Sequence, residues 1–272
     1  MVERPRRRDE PSMTFFLLIT LMLFLLCSQS LSWGPATHVE LAQSVLSRLS
    51  SLGSGLADLL GRYRRDFLFG NVFADVIIAK KLSPRRQAAH NWDAGRRALT
   101  NADDDRSRAF AYGFLTHLAA DTVAHNLYIP SLIRQTGSSV TLGHLYWELR
   151  ADRLVAPEHR TTARRLLRLR KPDHDQAIAD HVFPEVRWLG LNRGIFTSTN
   201  RITNGPNFGR AMGVWEDISR WQLLPETIQR HKSDACDRMI DLLLNGHASA
   251  LLQEDPNGLA VLQRLRDQRR SA

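Results

Sequence analysis

Apolar residues recur at intervals of three and four along much of the chain, which is the spacing of one face of an α-helix. The pattern is clearest in residues 39–49, 109–124, 142–154 and 235–244. Strand signatures are scarce, because β-branched clusters are few and no Asn-Gly pair joins two alternating apolar runs. Most prolines fall between the helical segments or at their ends, where proline is tolerated. The sequence therefore predicts an all-α fold built as a multi-helix bundle.

An uninterrupted apolar run near the N-terminus departs from this periodicity. Residues 15–27 are apolar but for one threonine, four arginines precede them, and a Ser-Leu-Ser sequence follows. This order is typical of an export signal, with cleavage before Trp33. As a helix the run would span about 20 Å, short of the ~30 Å hydrocarbon core, so a cleaved signal is favoured over a membrane anchor. We expect residues 1–32 to be a signal peptide and the protein to be exported, either secreted or periplasmic; a start at Met13 would omit the charged segment.

Composition narrows the picture for the remaining residues, 33–272. This length suffices for a substantial core, and because no linker-like stretch interrupts it we expect one domain. Over the whole chain Lys and Arg total 37 against 28 Asp and Glu, a formal net charge of +9, and removal of residues 1–32 with their four arginines and three acidic residues leaves +8. Such a charge suits anionic partners such as membrane surfaces or phosphate esters. Of the two cysteines, Cys27 would leave with the signal and Cys236 would stand alone. Without disulfides, bound metal is one candidate for stabilising the exported chain.

One predicted helix carries a polar stripe through apolar surroundings. In "FLTHLAADTVAHNLYIP", His117, Asp121 and His125 are spaced by four, which places their side chains along one helical face. A lone histidine on such a helix is usually a core residue with a hydrogen-bond partner. Two imidazoles and a carboxylate together need several partners or a metal ion. The stripe is therefore a candidate metal site.

Further candidate ligands stand on both sides of this stripe. His144 and Glu148 in "LGHLYWELRAD" lie one helical turn apart, with Asp152 a turn further. Asp75 lies in the apolar stretch "GNVFADVI" and His90 opens "HNWD". Alone, each has an ordinary interpretation: a surface His–Glu pair, a capping aspartate or a surface histidine. In chain order the candidates are Trp33, His38, Asp75, His90, His117, Asp121, His125, His144 and Glu148.

In this order the residues resemble the zinc-dependent phospholipase C family, which is related to the fungal single-strand nucleases. The resemblance runs from Trp33 to Asp152. It implies an α-helical bundle with a zinc cluster between helices, and hydrolysis of phosphodiesters. It also implies that the mature protein begins with tryptophan, whose free α-amino group and carbonyl bind one zinc. An α-amino group has a pKa of about 8, so zinc readily displaces its proton.

The resemblance further implies three zinc ions. The implied ligand sets are Asp75, His90, His117 and Asp121 for the first ion, Trp33 and His38 with a bridging Asp121 for the second, and His125, His144 and Glu148 for the third. Asp75 is also our candidate general base. The family separates the aspartate from the following histidine by six positions, whereas Asp121 and His125 are four apart. A continuous helix would still bring His125 onto the same face, one turn beyond Asp121.

Three functions remain open at this point. The first is a phospholipase C that releases diacylglycerol and a phosphorylated head group. It is favoured because the lipase branch of the family resembles His-x3-Glu, as at His144 and Glu148, whereas the nuclease branch resembles His-x3-Asp. The second is a single-strand nuclease, with nucleic acid as substrate, favoured by the basic charge and the five-residue step from Trp33 to His38. The third is a non-catalytic, zinc-stabilised exported binding protein. Three ligands at the third site leave one coordination position open, which favours catalysis. Any peripheral membrane contact would use the domain's own surface.

Overall fold

The structure is a computed structural model of the chain. It describes residues 33–76, 90–167 and 223–271, together with positions 210, 212, 213, 216, 217, 219 and 221. The predicted signal peptide, residues 1–32, lies outside the described residues, so both the signal and its cleavage site stay predictions.

The described residues are mainly helical, and no strand occurs among them. The prediction of an all-α, multi-helix fold is confirmed. The helices are α1 (Pro35–Ser47), α2 (Ser54–Arg62), α3 (Arg64–Val76), α4 (Trp92–Asn101), α5 (Asp105–Val123), α6 (Ile129–Thr136), α7 (Val140–Arg153), α8 (Pro157–Leu167), α9 (Pro225–Asn245) and α10 (Leu259–Arg270). The four segments with the clearest periodicity are α1, α5, α7 and α9, although α1 starts four residues earlier than its pattern and ends at Ser47.

Helix α5 is the centre of the bundle. It packs against α3, α4 and α9, and every residue from Gly113 to Val123 is buried. A helix buried on all sides is usually apolar all round. His117 and Asp121 break that rule, and their burial means that neighbouring groups must replace water around them.

Two glycines bring α3 and α5 unusually close. A Cβ atom at Gly113 would stand 2.1 Å from the backbone oxygen of Phe67, and one at Gly70 would stand 2.0 Å from that of Phe110. Any larger residue would push the two backbones apart, because a carbonyl on a helix cannot turn away. This crossing fixes α3, which carries Asp75, against α5.

Helix α1 receives its N-terminal cap from a distant part of the chain. Its N-cap residue, Gly34, has no side chain that could accept a hydrogen bond. Asp152 on α7 takes that role, since its Oδ1 accepts from the backbone N–H of Thr37 at 2.8 Å and from the Thr37 hydroxyl at 3.0 Å. A carboxylate at a helix N-terminus is also stabilised by the helix dipole. The start of the described chain is therefore tied to α7.

Within the described residues, a helix both long enough and apolar enough to cross a bilayer does not occur.

Candidate metal centre

His117 on α5 has a fixed protonation pattern. Its Nδ1 lies 2.8 Å from the backbone oxygen of Asn71 on α3. A carbonyl oxygen can only accept, so Nδ1 carries the proton and donates it, and in the neutral ring Nε2 holds a lone pair. That tautomer is the one that ligates a metal through Nε2, with the second nitrogen oriented by a carbonyl.

The Nε2 atom of His117 points at other groups that also accept. It lies 3.2 Å from Oδ2 of Asp121 and 3.7 Å from Oδ1 of Asp75. Lone pairs that face each other repel, unless the imidazole takes up a second proton or a cation lies between the groups. The donor set therefore fits a metal ion.

Three ligand atoms form a triangle slightly smaller than the face of a zinc site. His90 Nε2 is 3.0 Å from His117 Nε2 and 3.0 Å from Asp121 Oδ2, and the third side is the 3.2 Å between His117 and Asp121. Zinc binds nitrogen and carboxylate oxygen at about 2.0–2.2 Å in a tetrahedron, so its ligand atoms stand roughly 3.3–3.6 Å apart. Small movements would complete one face of a zinc site.

Asp121 lies at the centre of the cluster. Its Oδ1 is 3.3 Å from His38 Nε2, and the His38 ring stacks on that of His117 with centroids 3.9 Å apart. Burial by itself raises the pKa of Asp121. Without a metal ion, the charge of a doubly protonated His117 and hydrogen bonds from His117, His38 and His90 outweigh burial and hold that pKa well below its ordinary value. Several imidazoles thus contact the Asp121 carboxylate at once.

Among the residues that the structure describes, two groups of three side chains could each hold an ion, with ligand atoms inside a group lying within 4.8 Å of one another. One group is His90, His117 and Asp121, and the other is His38, Asp75 and His117. Three of the four ligands implied for the first ion therefore form one group, whereas the fourth, Asp75, groups with His38 and His117. His117 is common to both groups, whereas the resemblance implied that Asp121 would be the shared residue.

Trp33 is fully buried, and its ring packs against Tyr128 at a centroid distance of 5.8 Å. Residue 34 follows immediately, and a Cβ there would stand 2.4 Å from Cγ of Asp152. The carboxylate of Asp152 therefore lies directly against the backbone at the predicted new N-terminus. Burial raises the pKa of Asp152, against hydrogen bonds from Thr37 that lower it.

The remaining three candidate ligands do not form one of these groups, but two of them lie close together. His125 and His144 have ring centroids 5.1 Å apart, and Glu148 lies one turn after His144 on α7. Glu148 is buried, and its Oε2 accepts no hydrogen bond from the described residues. Burial, then the negative charges of Asp75, Asp152 and Asp121, raise its pKa well above the ordinary value. A cation is the partner that this carboxylate lacks.

The short spacing between Asp121 and His125 is accommodated by a change of helix type. The α-helix ends at Val123, and Ala124–Tyr128 is π-helical, so the continuous α-helix expected from the spacing is not what forms. Each π turn takes up more residues than an α turn, and such segments are frequent at functional sites. His125 is buried, and its Nε2 lies 3.9 Å from Oδ2 of Asp121.

Sequence reasoning missed Asn71, which orients His117 through its backbone oxygen and donates through Nδ2 to Thr116 at 3.0 Å. The available signal was its position one helical turn before Asp75 on the same buried face. For Asp152 the sequence indicated only its place one helical turn beyond Glu148. Its contact with the start of α1 depends on a pairing 115 residues apart in sequence, which no local pattern encodes.

The fold and this cluster define an all-α protein with a buried His and carboxylate centre that fits zinc. Residues 37–192, more than half of the chain, match the family described as "Zinc dependent phospholipase C". The chain belongs to this family. No curated protein and no solved structure is significantly similar to it.

Proposed function

We propose that this protein is a zinc-dependent phosphodiester hydrolase, and specifically a phospholipase C that cleaves glycerophospholipids to diacylglycerol and a phosphorylated head group. The observation that carries the proposal is the triangle of ligand atoms from His90, His117 and Asp121, buried between helices in a chain of this family. A buried set of acceptors is costly unless a cation neutralises it.

Each candidate residue has a role in this proposal. Three ions would be held by the three ligand sets implied above, and Asp121 would serve two of them. Bound zinc would supply positive charge against the phosphate oxygens and make a water molecule more acidic. Asp75 is the proposed general base, since its buried carboxylate lies 3.7 Å from His117 Nε2 and belongs to the same cluster.

The proposal includes removal of residues 1–32 on export. Cleavage before Trp33 would create an amino group five residues before His38, and an internal residue has no such group. The contact of Asp152 with Gly34 and Thr37 would hold this new N-terminus in place. N-terminal sequencing of the active protein checks it: a first residue other than Trp33 would remove the amine ligand. One alanine added before Trp33 should weaken the zinc shared with His38 while leaving the fold intact.

The decisive experiment combines metal analysis with two assays run in parallel. Purified mature protein is measured for bound zinc, then incubated with phosphatidylcholine vesicles and with single-stranded DNA, alongside Asp121→Asn. We expect bound zinc, release of diacylglycerol, and neither in the variant. If DNA is cleaved and the lipid stays intact, the protein is a nuclease and the proposed phospholipase activity is wrong. Bound zinc with neither activity would favour the non-catalytic binding protein, and absence of zinc would exclude all three.

A further inference from the structure

A loop near the C-terminus lies against two of the candidate metal ligands. Residues 254–258, here called the C-terminal loop, follow the 3₁₀ turn Ala250–Gln253 and lead into α10. The loop lies outside residues 37–192, the part that matches the family. None of the nine candidate metal ligands lies in the loop, so the sequence predicted no role for it at the metal centre.

The first contact of the C-terminal loop is with His90. Asn257 donates through Nδ2 to the backbone oxygen of His90 at 2.8 Å. His90 comes just before α4, whose first turn is capped by Asn91: the Asn91 side chain accepts from Ala94, and its carbonyl accepts from Gly95. The His90 carbonyl is therefore outside the hydrogen bonds of the helix. Its orientation depends on a partner from elsewhere, which Asn257 supplies.

The second contact is with His125. Gly258 has a left-handed backbone, with φ of 59°, and packs directly on the π-helical segment. A Cβ at Gly258 would stand 2.5 Å from the His125 backbone oxygen and 2.8 Å from the His125 Cβ. Next to it, Asn126 donates through Nδ2 to the backbone oxygen of Asp255 at 3.0 Å.

Hydrogen bonds within the C-terminal loop, and from Arg238 on α9, hold it in place. Asp255 accepts from the backbone N–H of Asn257 at 2.9 Å and from that of Leu259 at 2.8 Å, which locks the turn. Arg238 on α9 joins Glu254 to α5, because it lies 2.6 Å from the Glu254 carboxylate and donates to the Thr122 hydroxyl at 2.8 Å. The loop is thus fixed to the helix that carries Asp121.

We propose that the C-terminal loop positions the metal ligands His90 and His125, with Asn257 acting on the first and Gly258 on the second. This inference rests on the proposed zinc site. His90 belongs to the triangle of ligand atoms, and His125 to the set with His144 and Glu148. One loop therefore couples the placement of two ions, and Asn257 and Gly258 are positioning residues that touch neither ion nor substrate.

The test uses two variants of the mature zinc-loaded protein, each with a matched control. Asn257→Ala removes the hydrogen bond to His90; Asn245→Ala removes a similar amide bond, from Asn245 to Asp241, on the exposed end of α9. Gly258→Ala and Gly137→Ala both place alanine on a left-handed backbone, but nothing lies within 4 Å of the Cβ at Gly137. Zinc affinity is measured by competition with a chelator, and the stability of the metal-free protein by thermal unfolding monitored by circular dichroism.

We expect Asn257→Ala and Gly258→Ala to bind zinc about 10-fold more weakly or worse, the usual cost of losing a group that orients a metal ligand. The controls should lose stability without losing zinc affinity. If both loop variants keep the zinc affinity of the unaltered protein while only their stability falls, the loop is merely structural and the inference is wrong. If the unaltered protein itself binds no zinc, the proposed function fails and this inference fails with it.

Discussion

Two carboxylates in the cluster, Asp121 and Glu148, are equally buried and yet respond in opposite ways. Imidazoles of His38, His90 and His117 surround Asp121, and its pKa is held well below the ordinary value. Glu148 has carboxylates as its charged neighbours, and burial together with their repulsion raises its pKa well above the ordinary value. Without a metal ion, protonated imidazoles in the inner region, around Asp121, can therefore balance the charge of an ionised Asp121, whereas in the outer region, around Glu148, the ionised form of Glu148 is favoured only when a cation is added.

The backbones that carry the two regions differ as well. His117 and Asp121 stand on an α-helix clamped against α3 by the close crossing at Gly70 and Gly113. The outer region uses the π-helical segment with His125 and the helix α7, and among the described residues no glycine crossing joins these two elements. His125 is held instead by the close approach of Gly258 from the C-terminal loop.

The largest expected effect is that of Asp121→Asn. The substitution keeps the size of the side chain but removes the negative charge. Several imidazoles contact that charge, and two cations would share it. We expect loss of zinc and a fall in phosphodiesterase activity of more than about 100-fold, beyond the usual cost of losing a group that only orients a ligand. Metal analysis and a phosphatidylcholine assay on the same preparation check this. Full zinc content with normal turnover would show that Asp121 does not bridge ions.

Next comes the packing beneath the inner region, tested with Gly113→Ala against Gly143→Ala. The new Cβ at Gly113 meets the Phe67 backbone oxygen at 2.1 Å, whereas at Gly143 it meets the side chain of Ser138, with Oγ at 2.3 Å and Cβ at 2.7 Å. A helix backbone must move as a unit, while Ser138 lies in the short turn between α6 and α7, which can shift. We expect Gly113→Ala to lower the free energy of unfolding by about 3 kcal/mol, and Gly143→Ala by about 1 kcal/mol or less. Chemical denaturation of both metal-free variants measures the difference, and equal losses would contradict the contrast between the regions.

These two regions also differ in how far the sequence predicted them. The spacing of four between His117 and Asp121 predicted that both lie on one face of a helix, and both do lie on the α-helix α5 with their side chains buried. The same rule applied to His125 predicted a continuous α-helix, but the helix becomes π-helical at Ala124. Periodicity reports which residues share a face, and it contains no signal for one extra residue in a turn. The roles of Asn71, Asp152 and the C-terminal loop depend on contacts between distant segments, and local patterns do not encode such contacts.

A smaller effect is expected for His125→Ala, which addresses the outer region alone. If His125, His144 and Glu148 hold one ion together, His125→Ala should remove one zinc and leave the others bound. His144→Ala added to it should cost little more, because the ion is already lost. Zinc stoichiometry of the single and double variants decides this. An unchanged count in His125→Ala would exclude that residue as a ligand, and Asp152 would then be the next residue to examine.

The smallest effect, and the sharpest test of the comparison, is the stability of metal-free Glu148→Gln. Because the pKa of Glu148 is raised in the folded state, its ionisation opposes folding increasingly as the pH rises above the ordinary value of 4.5. Glutamine has nearly the same shape and no charge, so at pH 7 the metal-free variant should unfold at a temperature about 2 °C or more above that of the metal-free parent, and the gain should vanish near pH 4.

Metal-free Asp121→Asn should shift the other way, since a lowered pKa means that the ionised carboxylate stabilises the fold at neutral pH. Thermal unfolding at both pH values, with chelator present, measures the two shifts. Shifts of the same sign would mean that the two carboxylates have similar environments, and the division into an inner and an outer region would be wrong.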